Sequence, residues 1–585
     1  MRIHRPLLLA ALALAACAPN RPSYPVTRTA SPLPALNEAA RGSAPNVTAG
    51  VTGERIARAR SEPQNWMTYY GAYDGQRFSS LDQVNTGNVR RLRPAWNFQF
   101  APIGLIATPG TYSFEAAPIV VDGVMFVSGW DGYLWALDAR TGQLLWQYQH
   151  AIPLDVPLCC GNVNRGVAVA GGRVYMATQN AHLVALDATT GQKVWEQVWG
   201  DVRAGESATM APLVVKDLVI VGSSGAEFGV RGHIDAFDLQ TGARRWRRYN
   251  VPRPGEPGSE TWAGDAWERG GGTAWITGTY DPELDLLYWG TGNPGPVFDG
   301  RERPGANLYT SSVVAIDPDD GTTRWHYQWT PNDVWDYDGV NENILFERDG
   351  RRLLAHFDRN GYFFVLDRTD GKLVTVAPFA RATWGEIGRD GAVTPRLRPT
   401  AEGTEICPGP AGAKEWPHAA YNPGTGLLYT SYIEACATFR LRPTEFREGL
   451  YYLGGEAEVT GEQWGGVKAI DPMTGREAWH WRGEHPMVAS VLTTAGGLVF
   501  TGEPNGYFNA WDARTGEVLW RYQTGNGIHS NPVTYSVDGV QYIAVPTGWG
   551  GWLEGFAPEM FGAPRGSSLF VFALADAERG SGGVR

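Results

Sequence analysis

The chain has 585 residues, of which 43% are hydrophobic and 19% charged, with a formal net charge of −11. Such a composition supports a large buried core and excludes a disordered polymer. The negative charge argues against a nucleic-acid partner, whose phosphates call for a basic face, and fits solubility or docking to a basic protein. No run of 18 apolar residues lies beyond the N-terminal region, so the body carries no helix suited to crossing a bilayer.

Arg2 and Arg5 precede a short apolar run from Leu7 to Ala16, the pattern of an export signal. Leu14-Ala15-Ala16-Cys17 reads as a lipobox, with Cys17 lipidated and becoming the mature N-terminus. Ala13-Leu14-Ala15 also satisfies an ordinary cleavage pattern. Residues 18–60 are rich in Pro, Ala, Ser and Thr without apolar periodicity, and are expected to be a flexible tether ahead of a folded body at 61–577 and a disordered tail at 578–585. Setting Cys17 aside leaves four cysteines, Cys159, Cys160, Cys407 and Cys436, an even number suited to two disulfides in an oxidising compartment.

The body is organised by a repeat, Ala-x-Asp-x-x-Thr-Gly-x-x-x-Trp. Copies begin at Ala136, Ala185, Ala236, Ala315, Ala469 and Ala510, and a worn copy begins at Val365. Ala-x-Asp is expected to end a strand, Asp and Thr to cap a tight turn, and Gly to supply its positive φ. Trp then opens the next strand and packs between neighbouring sheets. Apolar strands after a Gly turn precede many copies, as at Val120–Val127. Repetition at roughly fifty residues describes four-stranded antiparallel propeller blades. The long interval from 365 to 469 is expected to hold a blade without the phrase plus insertions. Arg91–Trp96 resembles the end of one more phrase, and strands around Tyr542–Val545 and Leu569–Leu574 are placed to pair with it and close the ring.

Cys159 and Cys160 are adjacent, with Gly161-Asn162-Val163-Asn164-Arg165-Gly166 following. Neighbouring Cα atoms lie about 3.8 Å apart, below the usual disulfide range. A bond between such residues closes a small strained ring, of a kind kept at functional sites.

The repeated phrase is the tryptophan-docking motif of the pyrroloquinoline quinone (PQQ)-dependent alcohol and methanol dehydrogenases, and from about Asn65 to Ala577 the chain resembles that family of quinoproteins. The resemblance implies an all-β, eight-bladed propeller. It makes Cys159-Cys160 a vicinal disulfide against one face of PQQ. Trp275, at the end of Gly270-Gly271-Gly272-Thr273-Ala274-Trp275, becomes the opposite wall. PQQ carries three carboxylates, and Arg165 is suited to pair with one of them. By resemblance Glu115, Thr209, Ser224, Gly225, Ala226 and Trp552 also belong to the cofactor and substrate surroundings, and Arg359 bonds the quinone oxygens. Cys407 and Cys436 match a spaced structural pair.

Glu227, Asn293, Asp336 and Asp338 are the implied metal ligands, a set of hard oxygens suited to calcium-like cations. Asp336 matches the catalytic base. If its segment is extended, Asp338 points the same way. The lanthanide-dependent branch carries this second Asp, whose charge balances a trivalent ion. The implied reaction oxidises a primary alcohol to an aldehyde: Asp336 takes the hydroxyl proton, the metal acts as Lewis acid, and hydride passes to PQQ.

No Cys-x-x-Cys-His motif occurs, so the resemblance implies an external periplasmic cytochrome c as acceptor. The oligomeric state is open, a homodimer included, and the membrane is touched through the lipid anchor alone. Two departures bear on the pocket. Glu415, in Lys414-Glu415-Trp416, lies where relatives often place an Asn, and His485–Ser490 lacks the Trp-Gly-Gly that often follows that proline. The competing readings are a calcium enzyme of the same class and a cofactor-free propeller lipoprotein scaffold of the outer-membrane assembly type.

Overall fold

The computed structural model describes residues 48–100, 113–153, 155–551, 553 and 564–575. Cys17 and Trp552 lie outside these, as does the expected tail. The fold is an all-β propeller. Four-stranded antiparallel sheets follow one another along the chain at 119–149, 168–198, 213–249, 279–328 and 344–378. Further sheets occupy 420–483 and 492–523. The last sheet unites both ends of the body. Val533–Val537, Val540–Gly548 and Ser567–Leu574 pair in order, and Leu92–Gln99 pairs antiparallel with Ser567–Leu574, as the sequence suggests.

The repeated phrase builds the connection between the third and fourth strands of a sheet. In its first copy Asp138 accepts hydrogen bonds from the backbone N–H of Arg140 (3.0 Å) and Thr141 (2.8 Å), and from the Thr141 hydroxyl (2.8 Å). Gly142 follows with φ of 73°. The Trp reaches across to the next sheet. A Cβ added at Gly191 would stand 2.7 Å from the Trp146 ring, and Trp146 Nε1 donates to the Ala188 carbonyl at 3.0 Å. The same relation links Trp195 with Gly242, Trp246 with Gly321, Trp325 with Gly371 and Trp479 with Gly516. Trp96 of the last sheet lies likewise against Gly142 of the first. Only a residue without a side chain admits an indole this close.

Two expectations need correction. The interval from 365 to 469 contains no further four-stranded sheet: Val365 and Ala469 belong to consecutive ones, 344–378 and 420–483. The extra length goes into a two-stranded ribbon (Gly385–Ile387, Val393–Pro395) and long strands, Leu427–Leu441 and Gly455–Ile470, that outrun the sheet. The expected tether also ends early. Val51 and Ile56 are buried, and the Thr48 and Val51 carbonyls accept from Gly172 and Gly171, because these apolar residues find a face on the second sheet.

Antiparallel alternation decides where function can sit. Connections between the second and third strands, and from the fourth strand to the next sheet, emerge at the same end of every sheet. The phrase turns occupy the other end.

Trp146 is 7% exposed and joins two sheets. Trp146→Ala is expected to lower stability by about 3–5 kcal/mol in denaturant unfolding. Val194→Ala, at a 47% exposed position, should stay within about 0.5 kcal/mol.

Candidate active site

A cavity of about 280 Å³ opens at the end of the sheets where the long connections gather. Cys159, Cys160, Arg165, Thr209, Ser224, Gly225, Glu227, Trp275, Asp336, Asp338 and Arg359 all line it, although they come from loops of five different sheets. Glu115, Ala226 and Asn293 are not part of the lining, although Glu115 contacts Arg165 and the Asn293 backbone N–H donates to Asp338. Cys159 and Cys160 are disulfide-bonded, as are Cys407 and Cys436.

One half of the cavity is organised by Arg165. Its guanidinium lies 2.8 Å from the Glu115 carboxylate and over the rings of Trp275 (5.0 Å) and Trp416 (4.6 Å). Arg165 Nε and both Glu115 oxygens, all buried, lack well-aligned hydrogen-bond partners. These groups, an aromatic wall and a sulfur wall fit a flat molecule bearing carboxylates. Thr209 sits between, its hydroxyl 3.3 Å from the Ser224 hydroxyl and donating to the Trp275 carbonyl at 3.3 Å.

The other half is a concentration of buried negative charge. Asp333 builds it: its carboxylate accepts from the backbone N–H of Trp335 (2.9 Å), Tyr337 (3.0 Å) and Asp338 (3.0 Å), and from the Ser311 hydroxyl (3.1 Å). Gathering three N–H groups on one carboxylate winds the segment into a tight turn. Asp336 and Asp338 accordingly have φ of 67° and 54°. The segment is therefore not extended, as the sequence reading supposed. Both carboxylates reach the cavity through a turn.

Asp338 accepts from the Asn293 backbone N–H (2.6 Å) and from Arg359 (2.6 Å). Arg359 also stands 3.7 Å from Asp336 and 3.2 Å from Glu415. Burial, and repulsion from neighbouring carboxylates, push Asp336 and Asp338 up; Arg359 only partly offsets this. Burial raises Glu227 too. The Asn293 amide oxygen is buried with no partner. Three desolvated carboxylates and an orphaned amide oxygen beside one guanidinium form a donor set that fits a multivalent hard cation.

Several lining residues carry no sequence motif. Tyr451, Leu453, Gly455, Glu456, Ala457 and Val459 come from the extended hairpin of the 420–483 sheet, and Phe298 from a loop of the fourth sheet. The unusual length of the 365–469 interval was the available signal for the hairpin. Glu415 was visible as a departure from the family pattern, and it does line the cavity.

Residues 66–378 and 482–543 match the family model described as PQQ: glucose/ethanol/alcohol dehydrogenase, β-propeller domain. The chain belongs to the quinoprotein alcohol dehydrogenases. This quinoprotein is 39% identical to the quinoprotein alcohol dehydrogenase PedH of Pseudomonas putida, across 90% of the chain and 94% of that relative. It is 37% identical to the lanthanide-dependent methanol dehydrogenase of Methylacidiphilum fumariolicum, across 90% and 91%. Among solved structures, a europium-containing methanol dehydrogenase superposes with a TM-score of 0.83 at 35% identity, covering 89% of the quinoprotein and all of that chain. Membership in an enzyme family with its own cofactor sets aside the scaffold reading.

A second buried polar group adjoins the site along the segment that carries Glu415. Glu342 lies 2.7 Å from Lys414 and 3.4 Å from His418, all three fully buried. Burial lowers the His418 imidazole to about 4, with Glu342 offsetting part of the effect. The unfolded chain takes up a His418 proton near pH 6.5 that the folded protein refuses, so stability falls as pH drops from about 6.5 towards 4. The loss is on the order of 3 kcal/mol. His418→Gln is expected to flatten that window in denaturant unfolding at graded pH.

Proposed function

We propose that this quinoprotein oxidises a primary alcohol to an aldehyde with PQQ and a lanthanide ion. The observation that carries the reading is the meeting of Asp338 with Asp336 and Glu227 in one buried cavity beside the unpaired Asn293 amide oxygen. For a divalent ion the third carboxylate adds repulsion among ligands. For a trivalent ion it balances charge.

Glu227, Asn293, Asp336 and Asp338 would hold the cation, which supplies Lewis-acid polarisation there. PQQ, when bound between Trp275 and Cys159-Cys160, supplies a two-electron acceptor. Arg165 and Glu115 orient its carboxylates, with Thr209, Ser224, Gly225 and Ala226 shaping the floor and Trp552 the alcohol side. Asp336 accepts the alcohol's hydroxyl proton. It is suited to that task because it lines the cavity and is not engaged in a close ion pair. Arg359 holds Asp338 and Glu415 in place and leaves Asp336 at 3.7 Å, free to take a proton.

The sheet succession and the Trp–Gly contacts support eight blades joined by tryptophan docking and closed by the mixed final sheet. Electrons then pass to an external cytochrome c. Export and lipidation at Cys17 would place the enzyme in the periplasm on a membrane tether.

Dye-linked alcohol oxidation by apo-protein given PQQ with either La³⁺ or Ca²⁺ tests the reading. Turnover is expected with La³⁺, and activity with Ca²⁺ alone would overturn the metal assignment. Asp338→Ala should lose lanthanide-supported turnover selectively. Asp333→Ala should weaken binding of a luminescent Eu³⁺ probe by about 10–100-fold, because it loosens the turn behind two ligands. Cys17→Ala should move the protein from the membrane fraction to the soluble one.

A further inference from the structure

We infer that His150, His182 and Glu196 form a second cation site, separate from the cavity and built for a borderline divalent ion such as Zn²⁺. One donor atom from each residue lies within 4.8 Å of the others. His182 Nδ1 is 2.5 Å from Glu196 Oε1, and His150 Nδ1 is 4.0 Å from the same oxygen. The two imidazoles are 5.0 Å apart and tilted by 59°, so they do not stack. His150 is 6% exposed, and its Nδ1 is the ring nitrogen nearer the cluster. Lys193 holds the other oxygen of Glu196 at 2.5 Å, which leaves Oε1 for an ion.

The donor chemistry selects the ion. Calcium-like and trivalent cations take six or more oxygens, and this cluster offers two imidazoles and one carboxylate. Imidazole with a single carboxylate suits Zn²⁺, at about 2.0–2.2 Å per bond, with a fourth position left for water. His182 and Glu196 have side chains 23% exposed, which gives the ion a way in. Loading replaces the contact between His182 and Glu196: the Nδ1 lone pair goes to the ion and the His182 proton resides on Nε2 or leaves to solvent.

The three donors come from two sheets, so an ion here would staple them together. His150 follows Leu144–Gln149, the last strand of the first sheet, and its N–H donates to the Gly132 carbonyl. His182 opens His182–Asp187 and Glu196 lies in Lys193–Val198, both of the second sheet. From His150 the chain runs directly into the loop bearing Cys159 and Cys160. That loop is tied to the same end of the second sheet by Asn164 donating to Ala177 and Gln179 donating to Val163. The staple therefore anchors the start of the loop that forms one wall of the active-site cavity.

The test uses holoenzyme with PQQ and La³⁺ already bound, so that the first site is filled. CoCl₂ is titrated with visible absorption recorded, followed by ZnCl₂ as competitor, and thermal unfolding is measured with and without Zn²⁺. One equivalent of Co²⁺ with a d–d band, displaced by Zn²⁺, is expected, together with a rise in Tm. His182→Gln or Glu196→Gln, at the more exposed positions, should weaken binding by about tenfold or more, the scale that loss of even an outer-shell partner produces. The double variant should abolish both the band and the Tm shift. Absence of the band in wild-type holoenzyme, or equal Co²⁺ binding by the double variant, would overturn the assignment. Both readouts are independent of the alcohol-oxidation reading, because they follow Co²⁺ binding and unfolding rather than turnover.

Discussion

Buried negative charge is the constraint around which this molecule is arranged. Glu227, Asp336, Asp338 and Glu415 share a cavity with two guanidiniums, and a protein interior tolerates such a grouping only with compensation. Asp333 keeps two of the carboxylates in position by binding three backbone N–H groups, and Arg359 spans three of them. What remains uncompensated is the charge and the coordination number that a cation would supply. A site of this kind is poorly stable when empty and strongly selective when filled, because the ligands are fixed before the ion arrives.

The propeller supplies the rigidity that such a site requires. Lining residues from five sheets meet at one end because antiparallel strands return these loops to that end. The opposite end carries the repeated turns, whose Asp, Thr and Gly serve geometry alone. The division explains why the repeat could recur almost unchanged while the loops at the other end diverged in length and content.

Much of this was legible in the residues. The phrase marked third and fourth strands correctly at every copy, because its turn chemistry is local: an Asp caps the backbone within three residues and a Gly relaxes φ. The adjacent cysteines and the paired aspartates were legible for the same reason. What local patterns could not show was how Asp336 and Asp338 come to face one cavity. Alternation along an extended strand gave the right neighbours by the wrong geometry, since the side chain that winds the turn, Asp333, was not recognised as its organiser. Tyr451, Leu453 and Val459 were invisible because a long hairpin bent over a cavity has no signature in spacing. The segment at 48–57 was taken for tether because its composition is that of a linker, and its few buried apolar residues matter only against a face formed by the second sheet.

Pairing of Leu92–Gln99 with Ser567–Leu574 has an effect on the order of assembly. The strand synthesised early finds its partner only when almost the last residues of the body exist, so this pairing carries the loop-closure cost of nearly the entire sequence. Until then the young polypeptide exposes an unsatisfied edge, a liability in any crowded compartment. The fastening of the body's two ends converts a row of sheets into a ring that neither of those strands can leave alone.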